Sequence, residues 1–169
     1  MARVVVIGNA AGGKSTLARH LAARRGLPFF EVDRLLWRTG WQLTPEPDYT
    51  RRHAEIIARA EWVIDGLGRQ DSIAQRLARA TEIVLIDMPL WVHFWLAAER
   101  QIGWKELDAP PAGAREMPPT RELFRTIWEV DQTWLPAIRT MCREAELEGK
   151  AVSRLTSLDD IDAYAGSLK

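Results

Sequence analysis

The sequence predicts an α/β fold, a five-stranded parallel sheet with helices on both faces and a small lid. Three observations predict it. Short runs rich in β-branched residues recur along the chain and alternate with helical patterns, the arrangement of a parallel sheet joined by crossover helices. A glycine-rich segment stands directly between the first such run and the first helical pattern. The length, 169 residues, suits one domain with a substantial core, and a single domain spanning 1 to 169 is expected.

The first element is "VVVI", Val4 to Ile7, too short for a helix and apolar throughout, as in a strand buried on both faces. From Gly8 the chain reads "GNAAGGKST". Gly8, Gly13, Lys14 and Ser15 fit G-x-x-x-x-G-K-[ST], and Leu17, Ala18, Leu21 and Ala22 then recur at helical spacing. Strand, loop and helix thus stand in the order of a phosphate-binding loop, and the fold class sharpens to the P-loop NTPase type. Gly8, Asn9, Ala10, Ala11, Gly12 and Gly13 would wrap a phosphate with inward backbone N–H groups. Lys14 would set a cation on the β- and γ-phosphates, Ser15 would offer its hydroxyl to Mg²⁺, and Thr16 would support the α- or β-phosphate. The expected cofactors are ATP and Mg²⁺.

Further strands are expected at 28–32, 61–65, 82–87 and 150–155, with helices at 14–25, 46–60, 70–80, 89–102, 120–147 and 158–167. Ser157 reads as the N-cap of the last helix, with Asp159 and Asp160 suited to its dipole. Ligands of such sheets bind beyond the carboxyl ends of the strands. That places three acids near the loop: Asp33 after the second strand, Asp65 ending the third and Asp87 ending the fourth. A nucleotide-bound Mg²⁺ takes hard oxygen ligands and an acceptor hydroxyl takes an orienting carboxylate, and the pattern leaves open which acid serves which.

Lys plus Arg number 23 and Asp plus Glu 23, so no overall field draws the chain to nucleic acid or anionic lipid. The one cysteine, Cys142, allows no internal disulfide. No run approaches a membrane span, and the expectation is a cytoplasmic protein, monomeric or weakly dimeric.

Eight tryptophans form distinct sets, with Trp104 by itself at the base of the proline-rich segment, where it could move with that loop. Trp62, Trp91, Trp95, Trp128 and Trp134 read as core filling. Trp37 and Trp41 follow Asp33 in an irregular stretch, "RLLWRTGWQLTP", where a flat ring could stack on a substrate, within an acceptor-binding region of about 33–60. The proline-rich segment at about 103–119 reads as a lid over the phosphates, with Gly103 and Gly113 as hinges and Arg100 and Arg115 bringing charge at closure.

"GNAAGGKSTLARHLAARRGLPFFEVDRLLWRTGWQLTP", "EWVIDGLGR" and "LIDMPLWVHFW" together resemble the adenylate kinase-related P-loop proteins of the topology modulation protein family. The resemblance covers almost the whole chain and is strongest over 3–95. It implies an ATP-dependent kinase, adenylate kinase-like, that transfers the γ-phosphoryl group to a small acceptor such as a nucleoside monophosphate. "DGLGR" at 65–69 is similar to the D-G-F-P-R of adenylate kinases, which implies Asp65 near the metal, with Gly66 beside it, and Arg69 on an acceptor phosphate. "LPFFEVD" at 27–33 is similar to a stretch of shikimate kinases and implies that Asp33 faces the acceptor hydroxyl.

On this reading Lys14, Asp33, Arg69, Arg100 and Arg115 are the catalytic candidates. Asp33, Trp37, Trp41, Asp65, Gly66 and Arg69 contact the acceptor, and Ser15 with Asp65 or Asp87 holds the metal. The chain also departs from the family. "EVDQTWLP" carries acidic, amide and apolar residues where arginines are usual, and Leu96 stands where an arginine follows D-x-P. Slower chemistry, a less charged acceptor or different donors would each account for that. The alternative is a nucleotide-binding regulatory ATPase without a small acceptor, linked to DNA topology as the family name suggests.

Overall fold

A computed structural model of the chain describes residues 1–105 and 119–168. Its five-stranded sheet is built from β1 (Arg3–Gly8), β2 (Phe29–Glu31), β5 (Trp62–Asp65), β6 (Glu82–Ile86) and β7 (Ala151–Leu155). The order is β2-β5-β1-β6-β7 and every pairing is parallel. The chain first winds to one side of β1 and then passes to the other, so the direction reverses between β1 and β6. The crevice at such a reversal, beyond the strands' carboxyl ends, is where open α/β sheets take ligands.

The continuous apolar strands are explained by burial on both faces, alternate residues serving opposite cores. Val4, Val6, Val63, Val84 and Ile86 pack with Leu17, Ala18 and Leu21 of α1 (Lys14–Arg25) and are closed by Leu155 and Leu168. Val5, Ile7, Trp62, Ile64, Ile83 and Leu85 face the other way. They meet Ile73 and Leu77 of α4 (Gln70–Arg79) and Leu135, Ile138 and Cys142 of α7 (Leu135–Leu147).

The remaining helices are α3 (Glu46–Ile57), α5 (Leu90–Lys105), α6 (Thr120–Glu129) and α8 (Leu158–Ser167). Ser157 caps α8 as expected, and its hydroxyl accepts from the Asp160 N–H while the Asp160 carboxylate takes the Ser157 N–H in return.

Three expectations change. The stretch after Asp33 is ordered: α2 (Val32–Leu36) leads into a two-stranded antiparallel hairpin, β3 (Trp37–Arg38) and β4 (Gln42–Leu43). Its turn places Gly40 and Trp41 at φ 70° and 56°. Elements this short leave no legible period. The helix expected over 120–147 is interrupted by a π-turn, Val130–Trp134, where the Leu135 N–H bonds the Val130 carbonyl. Pro136 follows with no N–H of its own, which removes the ordinary bond at that point. Finally, Trp62 is fully buried, but Trp91, Trp95 and Trp128 are 65%, 48% and 55% exposed. α5 docks through Val92, His93 and Ala97, so the helical period turns Trp91, Trp95 and Ile102 outward.

The body of the expected lid, including Gly113 and Arg115, lies outside the described residues. Among those described, no helix is long and apolar enough to cross a membrane.

Replacing the α8 cap, Ser157→Ala, is expected to lower stability by about 1 kcal/mol. Urea unfolding should show an earlier midpoint with unchanged slope; an unmoved midpoint would show that α8 starts without its cap.

Candidate functional site

The loop leaves β1 at Gly8, where a Cβ would lie 2.3 Å from the Ile86 carbonyl oxygen of the neighbouring strand. Only a residue without a side chain lets the two backbones approach this closely. The loop is then pinned from two helices. Buried Asn9 donates through Nδ2 to the Ile127 carbonyl of α6 at 2.7 Å, and its Oδ1 accepts the Ala10 N–H at 2.8 Å. His93 of α5, wholly buried, makes a 2.9 Å bond from Nδ1 to the Ala10 carbonyl. A carbonyl can only accept, so Nδ1 carries the proton. Burial lowers the His93 pKa and nearby Lys14 lowers it further, although the Ala10 bond opposes this. Neither contact is expected from the sequence, since each joins residues more than 80 positions apart.

α1 begins immediately at Lys14, preceded by Gly13 at φ 77°. The Lys14 ammonium, almost fully buried, bonds the Asn9 carbonyl at 2.5 Å and so lies within the loop's curve. Thr16 is exposed on the same first turn. Ser15 Oγ donates to Asp65 Oδ2 at 2.5 Å. That contact follows from sheet register, since β5 pairs with β1 so that Asp65 stands beside Val6, two residues before the loop.

Asp65 Oδ1 is buried and has no hydrogen-bond partner. Burial raises the Asp65 pKa; Lys14 and Ser15 oppose the rise, while Asp33 and Glu31 add to it. A hydroxyl and a carboxylate side by side, with one orphaned oxygen, fit a divalent ion whose remaining ligands are phosphate oxygens and water. Among the described residues no cluster of three or more His, Cys, Asp or Glu could hold a metal with protein ligands alone.

Asp87 does not share this position. Its side chain is buried under two arginines, with Arg139 Nη2 2.6 Å from Oδ1 and Arg154 Nε 2.6 Å from Oδ2. Burial alone would raise the Asp87 pKa, but the bonds from Arg139 and then Arg154 outweigh it and hold the carboxyl below its ordinary range. With both oxygens engaged by guanidinium groups, Asp87 serves in this structure as an ion-pair anchor. It ties α7 and β7 to the end of β6.

Asp33 lies in the first turn of α2 and braces the turn that follows β5. Its Oδ1 accepts the Gly68 N–H at 3.0 Å, and a Cβ on Gly66 would come within 2.7 Å of its Oδ2. Tyr49 of α3 accepts the Arg69 N–H at 3.2 Å. The Arg69 side chain reaches Glu46 and Asp71 at 3.3 and 3.4 Å. Trp37 and Trp41 meet edge to face, ring centroids 5.6 Å apart, and Trp41 Nε1 is buried without a partner. The structure therefore joins Asp33, Gly66 and Arg69 in one constellation and Ser15 with Asp65 in another. Arg100 stands on the exposed side of α5.

Arg76 escaped the sequence reading. It is 0% exposed, and its guanidinium bonds the Gly66 carbonyl at 2.9 Å, the Leu67 carbonyl at 2.5 Å and Ser72 Oγ at 3.1 Å. The signal was its place between Ile73 and Leu77 on the apolar face of α4. His53 stacks on Tyr49; burial, then the Arg76 charge, pushes its pKa down to about 4, so it is neutral at pH 7.

No family model matches the chain, and no curated protein does. Solved structures do. A shikimate kinase from Bacteroides thetaiotaomicron aligns over 99% of this chain and 96% of its own, at 16% identity and TM-score 0.59. A shikimate kinase from Acinetobacter baumannii in complex with shikimate aligns over 98% and 89%, at 17% identity and TM-score 0.57. A gluconokinase from Sinorhizobium meliloti 1021 aligns over 86% and 94%, at 20% identity and TM-score 0.44. The two shikimate kinase likenesses show that the fold is that of a P-loop NTPase with helices on both faces of a five-stranded parallel sheet.

Asp87→Asn is expected to destabilise the fold by about 2 kcal/mol at pH 7, since it leaves two arginines without their anion while both retain some solvent. The wild-type advantage is fully present above the unfolded carboxyl value of about 3.9 and is lost as pH falls through the lower folded value. Urea midpoints of both proteins should therefore converge on acidification; a gap that is constant with pH would contradict the ion-pair account.

Proposed function

We propose that the chain is an ATP-dependent phosphotransferase that moves the γ-phosphoryl group of Mg-ATP to a hydroxyl of a small acceptor. The observation that carries this reading is the Ser15–Asp65 pair directly beneath the phosphate loop, on the same β5 end that leads into the Asp33-braced turn. Phosphate end and acceptor end are thereby fixed to one rigid support. The solved structures that share the fold are named for shikimate, one of them being in complex with it, which favours a small-molecule acceptor here.

In this proposal the backbone N–H groups of Gly8 to Thr16 cradle the donor phosphates, and Lys14 leaves the Asn9 carbonyl to stabilise the charge in transfer. Ser15 and Asp65 would hold Mg²⁺, which neutralises phosphate charge when bound. Asp33 orients the acceptor hydroxyl and takes its proton. A bond forms from that oxygen to the γ-phosphorus while the bond to the β–γ bridging oxygen breaks, and ADP leaves. Gly66, Arg69 and the Trp37–Trp41 pair line the acceptor side. Arg100 and Arg115 remain proposals for the lid region (103–119), and Arg139 is a further cation close to the carboxyl end of β6. A nucleoside monophosphate is one acceptor within this class.

A second reading, the regulatory ATPase linked to DNA topology, is favoured by one observation. Trp91 and Trp95 stand exposed on α5, the helix whose His93 holds the loop, so a partner protein could couple to nucleotide state there.

ADP release from Mg-ATP, measured across nucleoside monophosphates, nucleosides and small hydroxy acids such as shikimate and gluconate, separates the two. The kinase reading predicts a large rise with one acceptor class, absent in Lys14→Ala. Asp33→Asn is expected to lower acceptor-dependent kcat by about a hundredfold or more. Slow release indifferent to every acceptor would favour the regulatory reading instead.

A further inference from the structure

Resting on the phosphotransferase reading, we infer that Arg76 is a positioning residue for the acceptor, holding the Gly66–Arg69 turn in shape from below without touching substrate. Each residue of that turn has its backbone secured by a side chain. Arg76 Nη2 donates to the carbonyls of both Gly66 and Leu67. Asp33 accepts the Gly68 N–H. Tyr49 accepts the Arg69 N–H, and Ser72 Oγ donates to the Arg69 carbonyl at 2.7 Å. Arg76 Nη1 donates to that same Ser72 Oγ, which the Tyr49 hydroxyl also contacts at 2.9 Å. One planar guanidinium thus roots the whole network, reaching two residues of the turn directly and a third through Ser72.

Ordinary fold stability does not call for this arrangement. Arg76 is completely buried, its Nε has no partner, and among the described residues it forms no ion pair, although the more distant Asp33 and Asp65 charges favour its charged form. A buried charge whose hydrogen bonds all go to carbonyls and a hydroxyl is costly, and a well-packed apolar side chain in its place is often neutral or stabilising. What the guanidinium supplies instead is a fork of donors aimed at two consecutive carbonyls, which neither lysine nor an apolar residue reproduces. The turn it supports starts from Asp65, carries Arg69 and braces Asp33, the three groups that this reading directs toward metal and acceptor. Gly68, at φ 60° with the Tyr49 hydroxyl 2.2 Å from where a Cβ would be, shows how closely the turn is packed onto the network.

The test uses the full chain as Arg76→Met and Arg76→Lys beside the wild type. In Arg76→Met, hydrogen exchange at the Gly68 and Arg69 amides is expected to accelerate about tenfold or more, while Val4–Ile7 and Val84–Ile86 keep their protection. ADP affinity in the presence of Mg²⁺ should stay within about twofold, because the phosphate loop is held independently by Asn9 and His93. Arg76→Lys keeps the charge and part of the donor set, so its exchange should fall between the other two. With whichever panel acceptor the wild type phosphorylates, the acceptor KM should rise about tenfold in Arg76→Met, the KM for ATP should not, and Arg76→Lys should recover part of the loss. Acceleration spread evenly over the core strands, or none at the turn, would overturn the inference, as would an ATP KM that rises in step with that of the acceptor. A wild type that phosphorylates no acceptor would defeat the kinase reading, and exchange at the turn would then decide the role of Arg76 alone.

Discussion

The pairing of β1 with β5 is the constraint on which the site depends. Because Val6 stands opposite Asp65, the carboxylate that ends β5 arrives beneath the loop that leaves β1, within hydrogen-bond reach of Ser15. A slip of one residue would turn Asp65 to the other face of the sheet and a valine or isoleucine partner with it. The register is held by the apolar strands themselves, whose alternate residues fill two separate cores. Packing that has no chemical role thereby sets the distance between the two polar groups.

Around this pair, the carboxyl ends of the strands collect the buried polar residues that a hydrophobic core excludes: Asn9, Lys14, Asp65, Arg76, His93 and Asp87. Each costs desolvation, and each is offset by particular bonds. They divide by task. Asn9 and His93 fix the loop to α6 and α5; Arg76 fixes the turn after β5; Asp87 with Arg139 and Arg154 fixes the other edge of the sheet. Among the described residues only Asp65 keeps a buried side-chain oxygen without a protein partner, and it is the one adjacent to the loop hydroxyl.

The fold was legible because its signals are local. The apolar strands, the glycines of the loop and the Ser157 cap each reveal their structure within a few residues, and their boundaries agree with the structure closely. What could not be read was three-dimensional pairing among polar residues. Asp65 and Asp87 end the strands on either side of β1 and look alike in sequence, yet only the fold shows that Arg139 and Arg154, 52 and 67 residues further on, converge on Asp87. Arg76 was hidden for a related reason, since an arginine on an apolar helical face gives no sign of the carbonyls it will meet. The exposed tryptophans of α5 were misread because a bulky ring suggests a core position until the docking face of its helix is known.

The central claim is that Ser15 and Asp65 complete a metal site for a nucleotide held in the loop, and calorimetric titration of ADP with and without Mg²⁺ tests it most directly. The account predicts that Mg²⁺ tightens ADP binding to the wild type by about tenfold or more, some 1.4 kcal/mol, and that Asp65→Asn loses this gain while still binding ADP alone. Equal affinity with and without Mg²⁺ in the wild type, or an undiminished Mg²⁺ effect in Asp65→Asn, would contradict it.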